Sequence, residues 1–151
     1  MRARSSRLRL GRYSTVGQIY LITTVVRERQ PLFSDLRTGR LLVHELMRCE
    51  EQALVKSLAW VVIPDHFHWL FELKSGSLPG VMQQVKGRSS VVICRATRIV
   101  TPLWQRGYHD RAVRSEQDLP ALARYIVANP LRAGLVDRIG DYPLWDAIWL
   151  D

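Results

Sequence analysis

The chain has 151 residues, 47% hydrophobic and 24% charged, enough for a real core and unlike disordered or fibrous compositions. No apolar run approaches the roughly 18–20 residues that cross a bilayer, and the basic N-terminus lacks the apolar core of an export signal. Net charge is +8, and 19 of the 22 basic residues are arginine, a side chain that forks onto phosphate oxygens and stacks on bases. Nucleic acid is therefore the leading partner class, an anionic membrane surface the second.

Residues 1–12 carry five arginines without periodicity and read as a basic arm ahead of a single domain spanning 13–151. Gln18 to Val26 is β-branched and aromatic, and predicts a first strand. Arg27 to Phe33 reads as a loop, with Ser34 or Asp35 placed to cap the next element. Leu36 to Ser57 spaces Leu42, Leu46, Cys49, Ala53 and Leu54 as one face of an amphipathic helix. Leu58 to Ile63 is a short apolar strand, and Pro64-Asp65 turns it into a hairpin partner running to Leu73.

Leu78 to about Ile99 predicts a second helix, with Val81, Met82, Val85, Val92 and Ile93 inward and Lys86, Arg88, Arg95 and Arg98 outward. Leu103 to Val113 reads as a fourth strand bulged at Gly107. A third helix follows from about Leu119 to Ala128, with Pro120 in its first turn and Asp118 as N-cap. Strand, helix, strand, strand, helix, strand and an extra helix make an α+β, ferredoxin-like split βαβ arrangement. This predicts a four-stranded antiparallel sheet, two helices on one face and the third helix on the other. Cys49 and Cys94 form no metal or redox motif and read as reduced thiols of a cytoplasmic protein.

Asp65-His66-Phe67-His68-Trp69-Leu70-Phe71-Glu72-Leu73 carries the chemistry. Side chains alternate on a strand, so Phe67, Trp69 and Phe71 share one face, while His66, His68, Leu70 and Glu72 share the other. The aromatic face calls for a helical cover. The two imidazoles, about 7 Å apart along the strand, can hold one metal ion from the same side, or can be ordinary polar residues of a half-exposed strand. On the third helix Tyr125 and Asn129 lie four residues apart on one side, beside an apolar stripe of Leu119, Ala123, Ile126 and Val127. Pro130 ends that helix after Asn129. This suggests a divalent cation on His66, His68 and an Asn129 oxygen, polarising a phosphate that the Tyr125 phenol attacks.

Three segments, Asp65–Leu70, Leu103–Asp110 and Tyr125–Val136, resemble the REP-associated tyrosine transposases, single-tyrosine members of the HUH endonuclease superfamily. Gly11-Arg12-Tyr13-Ser14 and Asp141-Tyr142-Pro143 resemble the ends of that family, so the likeness spans roughly residues 10 to 145. The resemblance implies His66 and His68 as the metal pair, with Asn129 at the position of a polar third ligand. It implies Tyr125 as the nucleophile that joins the 5′ side of a nicked strand. The implied substrate is single-stranded DNA folded into hairpins from repetitive extragenic palindromes, and Mg²⁺ or Mn²⁺ suits the ligand set. Phe67 stands where the family often has a smaller aliphatic residue, which bears on packing because alternation buries it.

DNA contacts are expected from Arg12 in the basic arm, from Lys86, Arg88 and Arg95, and from Arg111 and Arg132, with Trp104 or Tyr108 stacking on splayed bases. His109 reads as a structural residue of the fourth strand, and either a monomer or a homodimer is compatible with the family. Two other readings stay open: a non-catalytic hairpin-binding module on the same fold, and a metal-dependent hydrolase using His66, His68 and His109 or Glu72 without Tyr125.

Overall fold

The structure is a computed structural model that describes residues 14–114 and 118–149. The basic arm and Arg12 lie outside the described residues. The β-branched segment forms β1 (Ile19–Val25). Two short 3-10 turns lead to α1 (Leu36–Glu51), whose N-cap is Asp35, its carboxylate accepting from the Arg37 amide. Then come β2 (Val55–Ile63), β3 (His66–Leu73) and α2 (Leu78–Ala96). α2 is capped by Ser77, with Pro79 in its first turn, where a missing N–H costs nothing. β4 (His109–Val113) and α3 (Leu119–Val127) follow, Asp118 capping α3 through the Ala121 amide at 3.1 Å. The one-turn α4 (Asn129–Arg132) and the three-residue β5 (Trp145–Ala147) complete the chain.

The sheet is antiparallel and five-stranded, in the order β4-β1-β3-β2-β5, where the sequence predicts four strands. β5 is the addition. Three residues are too few to show an alternating pattern, and β5 is fixed mainly by pairing Trp145 and Ala147 with Val61 and Ala59.

α1 stops at Glu51 rather than Ser57, because Ala53 adopts a left-handed conformation (φ 60°). The Leu54 and Ala53 amides then bond back to the Cys49 and Glu50 carbonyls. This is the double hydrogen bond of a Schellman cap, built on alanine instead of glycine. Lys56 and Ser57 therefore belong to β2. α2 likewise ends at Ala96, where Thr97 bonds back to the Ile93 carbonyl. The stretch predicted as one strand from Leu103 to Val113 is broken. Trp104 makes a single bridge to Val26, Gly107 turns the chain at φ 71°, and regular pairing starts only at His109.

The two sheet faces are as alternation predicts. Phe67, Trp69 and Phe71 are fully buried with Leu42, Leu46, Cys49, Met82, Val85 and Ile93 from α1 and α2. On the reverse face Leu70 joins Leu58, Val61, Ile63, Val113 and the α3 residues Ala123, Ile126 and Val127. α3 lies across β2 and β5. Beyond Val113 the face around Thr23, His109 and Arg111 is left more open, and a cleft forms there against α3.

Candidate active site

Antiparallel register places side chains in rows across the α3 side of the sheet. Thr23 of β1 pairs with His68 on one side and with His109 on the other. In the next rows Leu21 lies between Leu70 and Arg111, and Val25 pairs with His66.

Each imidazole is held at Nδ1. His68 Nδ1 lies 2.8 Å from the Thr23 hydroxyl, and His66 Nδ1 lies 2.7 Å from Asp65 Oδ1. Asp65 also accepts from Arg29 at 3.0 Å, and Arg29 reaches it from a turn in which Glu28 and Arg29 both take positive φ. Burial alone would raise the Asp65 pKa. Hydrogen bonds from His66 and Arg29, with their charges, outweigh it and hold the carboxyl below its ordinary value. An ionised carboxylate only accepts, so His66 carries its proton on Nδ1 and offers Nε2 as a ligand atom. The two rings meet edge to face with centroids 4.9 Å apart. Burial, then the charges of His66 and Arg132, push the His68 pKa down to about 4, so its ring is neutral at physiological pH.

The cleft encloses about 500 Å³. His68 and Thr23 form part of one wall with Leu21, and His109, Asp110 and Arg111 of β4 extend it. Leu122, Tyr125 and Ile126 of α3, with Asn129, form the other. His68, Tyr125 and Asn129 thus line one space, while His66 adjoins it through its contact with His68. Tyr125 is 64% exposed, unusual for a helical tyrosine beside a core stripe. The Arg132 guanidinium lies over its ring, 3.9 Å from the centroid, and donates to the Tyr125 carbonyl at 2.8 Å. α3 ends at Val127 rather than after Asn129. Pro130 sits in the first turn of α4 instead of terminating α3, and Arg132 at the end of α4 reaches back to Tyr125.

Several expected DNA contacts are otherwise engaged. Lys86 does not point outward: Nζ donates to the Gln105 and Gly107 carbonyls at 2.9 and 2.7 Å, and burial lowers its pKa. Arg88 pairs at 3.0 Å with Glu45, whose side chain is only 5% exposed. Both lie on α2, on the far side of the sheet from the cleft, as does the exposed Arg95. Trp104 is buried, donates to Ser89 Oγ at 3.0 Å and packs on Phe33 and Phe67, so it is no stacking platform. Tyr108 is partly buried against the same core. Val92 is half-buried rather than inward-facing. Among the described residues no three His, Cys, Asp or Glu side chains are grouped to hold a metal ion, so neither His109 nor Glu72 joins the imidazole pair. Glu72 lies instead 3.6 Å from Lys74.

Sequence reasoning does not find Thr23, Asp65 or Arg29. Asp65 is written into the strand opening, but its partnership with His66 depends on the hairpin turn, and Thr23 is recognisable only once β1 and β3 are in register.

Comparisons with known proteins bear on the family and the fold. The family described as "Transposase IS200 like" matches residues 14–129. The REP-associated tyrosine transposase of Escherichia coli K12 is 26% identical over 136 residues, covering 87% of this chain and 78% of the relative. A candidate REP-associated tyrosine transposase of Haemophilus influenzae is 23% identical, covering 85% and 79%. A solved REP-associated tyrosine transposase bound to a REP hairpin superposes with a TM-score of 0.74 at 24% identity, covering 89% of this chain and 79% of that one. Among the described residues no helix is long and apolar enough to cross a membrane. The chain belongs to the IS200-like transposase family, and within it resembles the REP-associated tyrosine transposases.

Proposed function

We propose that the protein is a metal-dependent endonuclease and transposase that nicks and rejoins single-stranded DNA at palindromic hairpins through a 5′-phosphotyrosine intermediate on Tyr125. The observation that carries this reading is the shared cleft: Tyr125, exposed and mounted on α3, borders the same space as His68 and Asn129. A relative of this fold is seen with a hairpin bound, and the basic charge of the chain suits the same partner.

The residues fit a divalent cation such as Mg²⁺ or Mn²⁺. Both imidazoles are tied at Nδ1, the outer support that metal-bound histidines generally have. That leaves His66 Nε2, His68 Nε2 and the Asn129 side-chain oxygen as the ligand set. A cation there would neutralise charge on the phosphoryl oxygens and help orient the scissile phosphate. Asp65 and Thr23 fix the rings, and the neutral state of His68 keeps its lone pair available. α3 presents the Tyr125 phenol to the cleft. Its oxygen attacks phosphorus as the phenol proton passes to solvent, the 3′ oxygen of the flanking nucleotide leaves and takes up a proton as a free hydroxyl, and the resulting ester keeps enough bond energy for rejoining.

Arg111 on the β4 rim and Arg132 beside Tyr125 are the backbone contacts that this reading favours, with Arg12 in the arm; Arg95, on the far face of the sheet, is not among them. Lys86 and Arg88 are structural. All groups invoked come from one chain, so a monomer suffices.

The test is hairpin cleavage with Mn²⁺ by wild type, Tyr125→Phe and His68→Ala. Loss of cleavage in both variants, with hairpin binding kept by Tyr125→Phe, supports the reading. Tight binding without cleavage by wild type would instead leave a binding module, and cleavage surviving Tyr125→Phe would point to a hydrolase.

A further inference from the structure

Arg132 is an exposed arginine turned onto the proposed nucleophile. Its guanidinium carbon lies over the Tyr125 ring, 3.9 Å from the centroid, and Nη1 donates at 2.8 Å to the carbonyl of the same residue. One side chain thus holds the tyrosine at both its ring and its backbone. On an unbroken helix, residues seven apart are separated by about 10 Å along the axis. Here the helix is interrupted at Ala128 ahead of the turn Asn129–Arg132, and the Arg132 side chain reaches the Tyr125 carbonyl. The Leu135 amide closes on the Pro130 carbonyl and Gly134 takes φ 73°, fixing the exit of that turn. Among the described residues no carboxylate pairs with Arg132. An arginine with no acidic partner among the described residues, lying on the face of a 64% exposed phenol, is not explained by core packing.

We propose that Arg132 is a positioning residue for Tyr125, clamping the phenol ring so that its hydroxyl is held toward the cleft before DNA arrives. The proposal rests on Tyr125 being the nucleophile, as argued above. An exposed tyrosine free to change rotamer would present its oxygen in the attacking geometry only part of the time, and reacting groups misplaced by about 1 Å can lose about 100-fold in rate. A planar guanidinium covers the ring face and keeps N–H donors to spare. A lysine ammonium, a point charge on a flexible stem, would not reproduce the stacking.

The test is single-turnover cleavage of a saturating hairpin with Mn²⁺ by Arg132→Gln and Arg132→Lys, read beside hairpin affinity and thermal midpoint. The expected result is a rate on bound DNA about 10- to 100-fold below wild type in both variants, with affinity within about threefold of wild type in Arg132→Lys, which keeps the charge, lowered in Arg132→Gln by no more than one phosphate contact, and no cooperative loss of fold in either. An unchanged single-turnover rate, or a loss confined to affinity, would overturn the proposal while leaving Tyr125 as nucleophile. Should either variant fail to fold, NMR of the wild-type protein decides. The Arg132 side-chain protons are expected upfield from ring current and to return to ordinary shifts in Tyr125→Leu, and ordinary shifts in wild type would overturn the clamp. Cleavage persisting in Tyr125→Phe would defeat the nucleophile assignment instead, a different result from either of these.

Discussion

Asp65 Oδ1 lies 2.7 Å from Nδ1 of His66, so a residue at the hairpin turn decides which nitrogen of its neighbour is left to bind a ligand. Arg29 completes the chain of contacts at 3.0 Å. Asp65→Asn should weaken Mn²⁺ binding about 10- to 100-fold, the usual effect of removing such outer support, while the fold persists. Calorimetric titration of Mn²⁺ against wild type and variant checks this, and equal affinities would contradict it.

His68 gives an acid-sensitive stability. Its folded pKa, about 4, lies below the ordinary 6.5. Well above pH 6.5 neither the folded nor the unfolded chain protonates this ring, and its contribution is fully present. As pH falls from about 6.5 toward 4 the unfolded chain takes up a proton that folded His68 refuses, so stability is lost across that window, by up to about 3 kcal/mol. Asp65, whose folded pKa is also lowered, adds its own loss only below its ordinary value near 3.8. Urea unfolding of wild type and His68→Gln between pH 4 and 7 should show a slope in the first that is reduced in the second.

Lys86 ties α2 to the loop that enters β4, through two carbonyls. Lys86→Met should lower stability by about 2 kcal/mol, since buried carbonyls would lose their partner. It should leave the salt dependence of hairpin binding unchanged. Denaturation and affinity measured at several salt concentrations separate this from a phosphate contact, whose loss would reduce the slope by about one.

Ala53 occupies the left-handed C′ position after α1 at φ 60°. Ala53→Gly should stabilise the protein by about 1 kcal/mol, because glycine takes that conformation without a Cβ penalty. A rise in the thermal midpoint is the expected readout.

The same alanine shows why the sequence misleads at that helix end. Glycine would have announced the stop, whereas alanine let the helical pattern run on to Ser57. β3 was legible because Phe67, Trp69 and Phe71 alternate with His66, His68 and Leu70 without interruption, and the two faces meet different helices. β5 was not, since its identity comes from its partner strand rather than its own three residues. In the site, Tyr125 and Asn129 could be placed by helical spacing. Thr23 could not, because its role depends on lying opposite His68 across two strands distant in sequence. Trp104 and Lys86 looked like surface residues because nothing local reveals that the loop before β4 folds back onto α2.

The most direct measurement of the central claim is mass spectrometry of protein trapped on a hairpin with Mn²⁺ and digested with trypsin. The peptide Tyr125–Arg132 should carry the nucleotide mass, located on the tyrosine side chain. A DNA adduct on another residue, or efficient cleavage with that peptide unmodified at every time point, would contradict the account.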